Sequence, residues 1–426
     1  MRKAAMRIVI VNKSDSTGGA AVVSFRLMTA LRSIGVDAHM LVAEKLSDSP
    51  YVHLLASKWR LRLSFLADRL RIALANGFDR ATLFKLDAAA FGIDISAHPL
   101  VREADSVILG WNNQGVISLR DLKRLNDGGE GRKLLWVMHD MWNMTGVCHH
   151  AGSCRRYEKP GRCGNCPMLG QHASENDLSR KIHDEKCIVY DQTMIDFVAV
   201  SSWLYDKAKG STLLSERSLT HIPNPFDLPD FKTIKRLPAP GRLRIIFGAA
   251  RIDDDIKGFP VFIEALNQLK RRWPELAERT EVILYGGIKD PSAIERIPLP
   301  VEYTGLLRDA AEVSALYMRS DMVVSSSRFE TLPGTLVEGQ AYGCLPVAFD
   351  SGGQRDIIED GVTGILVDRS GDDSIQASSL AAGIARGASL LAGDSDELRR
   401  RMYESVKSRF DAEAVAKAYI SLIRGK

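Results

Sequence analysis

No stretch of this chain stays apolar long enough to cross a bilayer, which takes about 20 residues. The apolar run from Met6 to Val11 is short and leads straight into a polar loop, so it does not read as a signal peptide. Charge of one sign is missing too. The formal net charge is only +4 and no Lys/Arg block forms a basic arm, which argues against a nucleic-acid partner. There is no tandem repeat and no low-complexity tract, so the chain is neither fibrous nor disordered by composition. These absences point to a cytosolic protein. Cysteines are scarce, six in 426 residues, and in the cytosol they stay reduced, so a clustered set reads as a metal site before it reads as disulfides. What remains is an ordinary soluble composition, 45% hydrophobic and 26% charged, on a chain long enough for two domains of about 200 residues each.

The first of these opens as a strand–turn–helix–strand unit. Met6–Asn12 is a short buried-strand pattern, Ser14–Gly19 a Gly-rich turn, and Val23, Leu27, Ala30 and Leu31 then fall at helical spacing before a strand at His39–Ala43. Further strand-like runs lie at Ser106–Leu109, Leu134–His139 and Phe197–Val200. The proline-crowded segment IPNPFDLPDFKTIKRLPAPGRL reads as a linker. A second α/β series follows, with strands expected at Leu243–Gly248, Glu281–Tyr285, Val301–Thr304, Met322–Ser325, Leu345–Phe349 and Ile365–Val367, and helices at Pro260–Arg272 and Ala310–Arg319. The predicted organisation is a first doubly wound domain over 1–222, a linker over 223–242, a second domain over 243–405, and a C-terminal helix in 406–426 that packs back on the first domain. Two such domains imply a ligand cleft at the carboxyl ends of two parallel sheets, without saying which ligand.

The most specific chemistry lies in SSSRFETLPGTLVEGQAYGCLPVAFDSGG. A strand ends at Ser325, a polar loop carries Glu330, and a helix is expected from Pro333, a residue suited to a first helical turn. Free N–H groups from about Leu332 to Leu336 and the positive end of the helix dipole suit a pyrophosphate. Glu330 at the helix mouth and Glu338 deeper in can each accept hydrogen bonds from sugar hydroxyls. Upstream, GAARIDDDIKGF puts Arg251 and Lys257 in the loop after a strand, where two cations can neutralise a leaving diphosphate. Read alone, that loop is as well explained as a solvated surface loop; beside the two glutamates, the phosphate reading prevails. His139 ends the strand of LLWVMHD, and Asp140 after it either orients the imidazole or caps the loop.

Glu330 and Glu338 at this spacing, with Arg251 and Lys257 before them, resemble the pattern of the retaining family 4 glycosyltransferases. The resemblance covers essentially the whole chain. The NKSDSTGGAA loop, the HDMW segment and the IPNPFD linker look like those of members that build capsular, colanic-type or O-antigen polysaccharides. It implies a GT-B fold, with two Rossmann-like domains and a nucleotide-sugar donor. In that pattern Arg251 and Lys257 bind the donor diphosphate, Glu330 faces the sugar hydroxyls, N–H groups near Gly334 and Thr335 hold phosphate, and Glu338 binds the ribose. Thr331, Leu332 and Leu336 complete the donor-contacting set, Gly18 and Gly19 let the first-domain loop approach the donor, and His139 lies near the reacting sugar. Glu330, His139 and Lys257 are the catalytic candidates. The family retains anomeric configuration, with front-face attack as the usual proposal, and the acceptor is expected to be a saccharide, polyprenyl-diphosphate-linked in this pathway. The acidic run Asp253–Asp255 is not read as a metal-binding element, and catalysis without a metal is expected.

Two features stand apart. Cys148, Cys154, Cys163 and Cys166 fall within nineteen residues, the last two as CxxC, with His149 and His150 as alternative ligands. Four thiolates so spaced can close a structural zinc site. Disulfides and free thiols are the rival readings, and zinc is preferred. Cys187 and Cys344 read as buried small hydrophobes. The segment 58–72 is a basic amphipathic helix, with Trp59, Leu63, Leu66 and Leu70 on one face. It fits either peripheral contact with the inner face of the cytoplasmic membrane or packing on its own domain, and packing is preferred. Competing functions are a GT-B nucleotide-sugar epimerase, a zinc-dependent nucleic-acid-binding protein and an inactive GT-B scaffold.

Overall fold

A computed structural model describes residues 6–129, 131–237, 240–307 and 309–425. Residues 238 and 239 of the expected linker lie outside the described residues. The chain divides into two compact units, one running to Pro225 and including residues from Ala412 onward, the other Phe226–Asp411.

The first unit is built on a parallel seven-stranded sheet of β1 (Arg7–Ser14), β2 (Asp37–Glu44), β3 (Val52–Leu54), β4 (Ser106–Leu109), β5 (Lys133–Met138), β6 (Ile195–Ala199) and β7 (Leu219–His221), in the order β3-β2-β1-β4-β5-β6-β7. Ile8–Val11, Val107–Leu109 and Leu134–Met138 are all buried, as expected of strands covered on both faces. Sequence patterning does not indicate β3 or β7: VHL and LTH are edge strands of three residues, too short to show a period. The helix Gly19–Ser33 covers β1 and β2, and the C-terminal helix Ala412–Ile423 packs against it through its buried face of Val415, Ala416, Tyr419 and Ile423. That last helix runs over the residues whose apolar spacing in the sequence marks a final helix, Ala412–Ile423, and Ser395–Phe410 before it is a separate helix belonging to the second unit.

The second unit is a parallel six-stranded sheet of β8 (Leu243–Arg251), β9 (Thr280–Gly287), β10 (Val301–Tyr303), β11 (Met322–Ser325), β12 (Leu345–Phe349) and β13 (Ile365–Val367), in the order β10-β9-β8-β11-β12-β13. The helix Phe259–Arg272 presents Phe259, Phe262, Leu266 and Leu269 to this sheet, with the Phe262 and Phe247 rings stacked at 4.6 Å. Each such side chain, fully buried, stabilises the fold by about 1.5–3 kcal/mol before entropy is counted. The described part of the linker from Phe226 onward is integral to this unit: Arg236 donates to the carbonyls of Tyr317 and Tyr342, both at 3.0 Å.

Both sheets share one feature that positions a site. Successive strands run outward from β1 to one side and from β4 to the other, and likewise from β8 and β11. Each unit therefore has a topological switch point, where ligands of such folds bind beyond the carboxyl ends of the strands.

Candidate functional site

In the second unit the switch point lies between β8 and β11, and the loops that leave those two strands carry the residues singled out from the sequence. β8 is irregular between Gly248 and Arg251, a bulge that redirects the strand end before its loop. Arg251 is exposed and donates to the Asp254 carboxylate at 2.8 Å. Asp253 accepts from the backbone N–H groups of Lys289 and Asp290 at 2.8 and 3.0 Å, and Asp254 caps the turn Asp255–Lys257. Two carboxylates of the acidic run are thus engaged in loop structure and in holding Arg251.

Lys257 donates to Glu330 at 2.6 Å, linking the loop after β8 to the loop after β11. Burial pulls the ammonium down, but the charge and hydrogen bond of Glu330, with Asp254 behind them, more than offset it. The lysine ends above its ordinary value and stays charged. The loop is locked behind it. Gly258 sits at φ +64°, and a Cβ there would lie 2.2 Å from the Ser326 carbonyl oxygen. The Ser326 hydroxyl in turn donates to the carbonyls of Lys257 and Gly258 at 2.8 and 2.9 Å. Glu330 is fixed from its own side. Its carbonyl accepts from the Gly353 N–H at 3.0 Å, and a Cβ on Gly352 would come within 1.9 Å of that oxygen. Ser326 and Gly352 were not singled out from the sequence; the Gly-Gly pair directly after β12 was the signal.

The helix after Glu330 runs Gly334–Ala341, with Pro333 as its N-cap rather than its first helical residue. The chain is extended at Pro333, so the helix begins at Gly334, one residue later than expected, and the Leu336 N–H, expected to be free, donates to the Pro333 carbonyl at 3.1 Å. Leu332 and Leu336 are buried, while Glu330, Thr331, Gly334, Thr335 and Glu338 keep partial exposure. The helix start, two cations and two carboxylates therefore share one solvent-reachable end of the sheet. Glu338 lies close enough to Tyr285 and Tyr317 to help raise both phenols, after burial, and their hydroxyls pair at 2.7 Å.

In the first unit the β1–β4 switch point carries the glycine-rich loop. Gly18 is the N-cap of helix Gly19–Ser33 at φ +89°, and nothing lies within 4 Å of where a Cβ would stand on it or on Gly19. His139 follows β5 and is half-buried; burial pulls its imidazole down to about 4 against the opposing charge of Asp140. Asp140 takes the loop-capping role of its two expected ones. Its carboxylate accepts from Trp142 N–H and Trp111 Nε1–H, both at 2.8 Å, and pairs with His149 Nδ1 at 2.8 Å. Burial alone would raise that carboxyl, but His149, His150 and the Trp142 N–H hold it well below the carboxylate range.

All six cysteines are free. Cys148, Cys154, Cys163 and Cys166 line one small cavity with Thr145, Gly146 and Tyr157. The Cys163 sulfur accepts from Gly146 N–H at 3.2 Å, and Cys166 N–H donates to Asp177 at 2.8 Å. Burial pushes the Cys148 thiol up to about 12 and that of Cys163 to about 11. Among the described residues, no three His, Cys, Asp or Glu side chains stand together as a ready metal-binding group. The loop is instead tied down by Lys186, fully buried, whose ammonium donates to the carbonyls of Trp142 and Thr145 at 2.6 and 3.0 Å. Cys344 is buried and donates to two carbonyls, whereas Cys187 is half-buried.

Comparison with known proteins agrees with this layout. Residues 243–386 match the family model described as glycosyl transferases group 1. The putative colanic acid biosynthesis glycosyl transferase WcaC of Escherichia coli K12 is 21% identical over 370 residues, 83% of this chain and 85% of that one. Among solved structures, HepE of Anabaena in complex with UDP and glucose aligns over 99% of this chain and 100% of its own, with a TM-score of 0.58 and 14% identity. The pneumococcal O-GlcNAc transferase GtfA in complex with UDP and GlcNAc aligns over 99% of both chains, with a TM-score of 0.65 and 12% identity. Both units are Rossmann-like, and the fold is GT-B.

Proposed function

Given a chain that is a GT-B glycosyltransferase of the hexosyl class, resembling family 4 and carrying a group 1 domain over residues 243–386, we propose that it moves a sugar from a nucleoside-diphosphate sugar onto a saccharide acceptor in the synthesis of a surface polysaccharide. The observation that carries this reading is the Lys257–Glu330 pair at 2.6 Å, set between the carboxyl end of β8 and the start of helix Gly334–Ala341. Lys257, Arg251 and the N–H groups of Gly334 and Thr335 stabilise the departing diphosphate, acting where charge develops. Glu330 meets the sugar hydroxyls and Glu338 the ribose. Thr331, Leu332 and Leu336 shape the wall of that donor site. UDP in the two aligned complexes and colanic acid in the name of the E. coli relative support the donor class and the pathway.

The transfer retains anomeric configuration. Loss of the diphosphate leaves an oxocarbenium-like carbon, the acceptor hydroxyl enters on the face the diphosphate leaves, and its proton passes to a departing phosphate oxygen. His139, neutral near pH 7, offers a hydrogen bond to a sugar or acceptor hydroxyl, and Gly18 and Gly19 leave room for the donor beside their loop. The acceptor is a polyprenyl-diphosphate-linked saccharide. Transfer assays test this directly. Lys257→Ala and Glu330→Ala are each expected to lose about 10²–10³-fold in kcat with the fold kept, and the wild-type product should show the donor's anomeric configuration by NMR. Near-normal turnover in both variants, or an inverted product, would sink the assignment. Conversion of the donor without any acceptor would favour an epimerase.

The four cysteines around one cavity support a structural zinc site: Cys148, Cys154, Cys163 and Cys166 would hold the ion as thiolates, their protons released to solvent, and the ion would tie the loop together. Metal analysis of protein purified without chelators is expected to find about one zinc per chain, lost on Cys163→Ser with Cys166→Ser. A metal content unchanged by that double substitution would refute the site.

A further inference from the structure

The helix Lys58–Ala75 turns the wrong side outward. Trp59, Leu63, Leu66, Leu70 and Leu74 recur at the α-helical repeat and so share one face. That face is exposed, at 65, 58, 50, 55 and 60% respectively. The helix is held instead by its opposite side: Leu61 and Ile72 are buried, and the buried Arg69 bridges Asp68 at 2.6 Å and Asp87 at 2.7 Å. Arg69 also donates to the carbonyls of Leu83 and Leu86 at 2.6 and 3.0 Å. Scattered exposed leucines need no explanation, but five large apolar side chains in a row about 22 Å long do.

We propose that this face is a docking surface for an anionic phospholipid bilayer. Cations frame the stripe on both sides. At the helical repeat, Lys58 and Arg62 fall along one flank and Arg60 and Arg71 along the other. Lys58, Arg60 and Arg62 are exposed and Arg71 half-buried, while the helix's one acid, Asp68, is fully buried on the inner side. A row of leucines between two rows of cations lets the apolar side chains enter the acyl boundary while the long basic side chains reach the phosphates. Trp59 at the helix start suits the headgroup level. The same charges oppose a second copy of the chain on this face, since it would set cations against cations with no acid to pair them. The helix lies on the membrane rather than crossing it, because no helix among the described residues is long and apolar enough to span. This inference rests on the surface of the first unit and not on the donor site.

The test is flotation of the full-length protein with vesicles of phosphatidylcholine alone and of phosphatidylcholine mixed equally with phosphatidylglycerol. Three other proteins run alongside: Leu63→Ser/Leu66→Ser/Leu70→Ser, Arg60→Ala/Arg62→Ala, and Lys257→Ala. The wild type is expected to bind the anionic vesicles at least about tenfold more tightly than the neutral ones. Both surface variants should lose about tenfold on anionic vesicles, with melting temperature and nucleotide binding unchanged, while Lys257→Ala floats like the wild type although its donor site is lost. Binding indifferent to lipid charge, or binding kept by the serine variant, would overturn the proposal. So would failure to bind anionic vesicles, whether the protein is monomeric by light scattering or forms a dimer that the serine substitutions dissociate.

Discussion

At the scale of single residues, Asp140 shows how far a motif can be read from sequence. The HDMW segment marked the position, and the loop-capping role was one of the two expected for the aspartate. What sequence order could not convey is that Trp111 and His149 come back to the same carboxylate from elsewhere in the fold. Removing it in Asp140→Ala leaves buried donors without an acceptor, at about 1–3 kcal/mol for each group so stranded. The variant should lose at least about 3 kcal/mol of stability in urea unfolding at pH 7. The pH dependence has a definite sign. The folded-state carboxyl lies below its unfolded value, so its contribution is present above about pH 4 and is lost as the pH falls through the carboxylate range. The stability gap between the wild type and Asp140→Asn should therefore narrow in acid; a gap that is constant or widens from pH 7 to pH 3 would contradict the account.

At the scale of elements, most strands were legible in the sequence, the exposed β10 among them. β4, β11, β12 and β13 fall at the boundaries expected from the sequence, each a short run rich in apolar residues, with β-branched and aromatic side chains favouring a strand. β3 and β7 escaped because each is only three residues long, too short for its own pattern to show. The helix Lys58–Ala75 is the sharpest case. Its period is visible in the sequence and the helix packs on its own domain, the preferred reading, but through Leu61, Arg69 and Ile72, with the leucine stripe facing out. No periodicity marks an Arg–Asp pair as the inner face, since ion pairs are buried only when the fold completes them, here with Asp87. The loop of Lys257 makes a comparable point about glycine. Lys257-Gly258 could pass for a chance dipeptide, yet the backbone at Gly258 is left-handed and pressed against Ser326. Gly258→Ala forces a Cβ to 2.2 Å from that carbonyl, which should cost about 1–3 kcal/mol and displace Lys257. The donor KM is expected to rise more than tenfold while the acceptor KM holds. A change confined to stability, with both KM values intact, would mean the loop does not position Lys257.

Over the whole molecule, the legible part was the repetition of one plan. Each unit places its glycine-rich or cationic loop after the first strand of its sheet, and each sheet reverses direction at that strand. The sequence order of short apolar strands and intervening helices was enough to expect this. The division of the chain at Pro225 depended on contacts that no local pattern records. The central claim is that the second unit holds a nucleoside diphosphate through Lys257. Calorimetric titration of the wild type and Lys257→Ala with UDP, GDP, ADP and CMP, without and then with a divalent metal, tests it most directly. The account predicts that one nucleoside diphosphate binds the wild type with or without metal and that binding falls at least about tenfold in the variant, as loss of a charge-assisted contact requires. Equal binding by both proteins, or no binding of any nucleotide by the wild type, would contradict it.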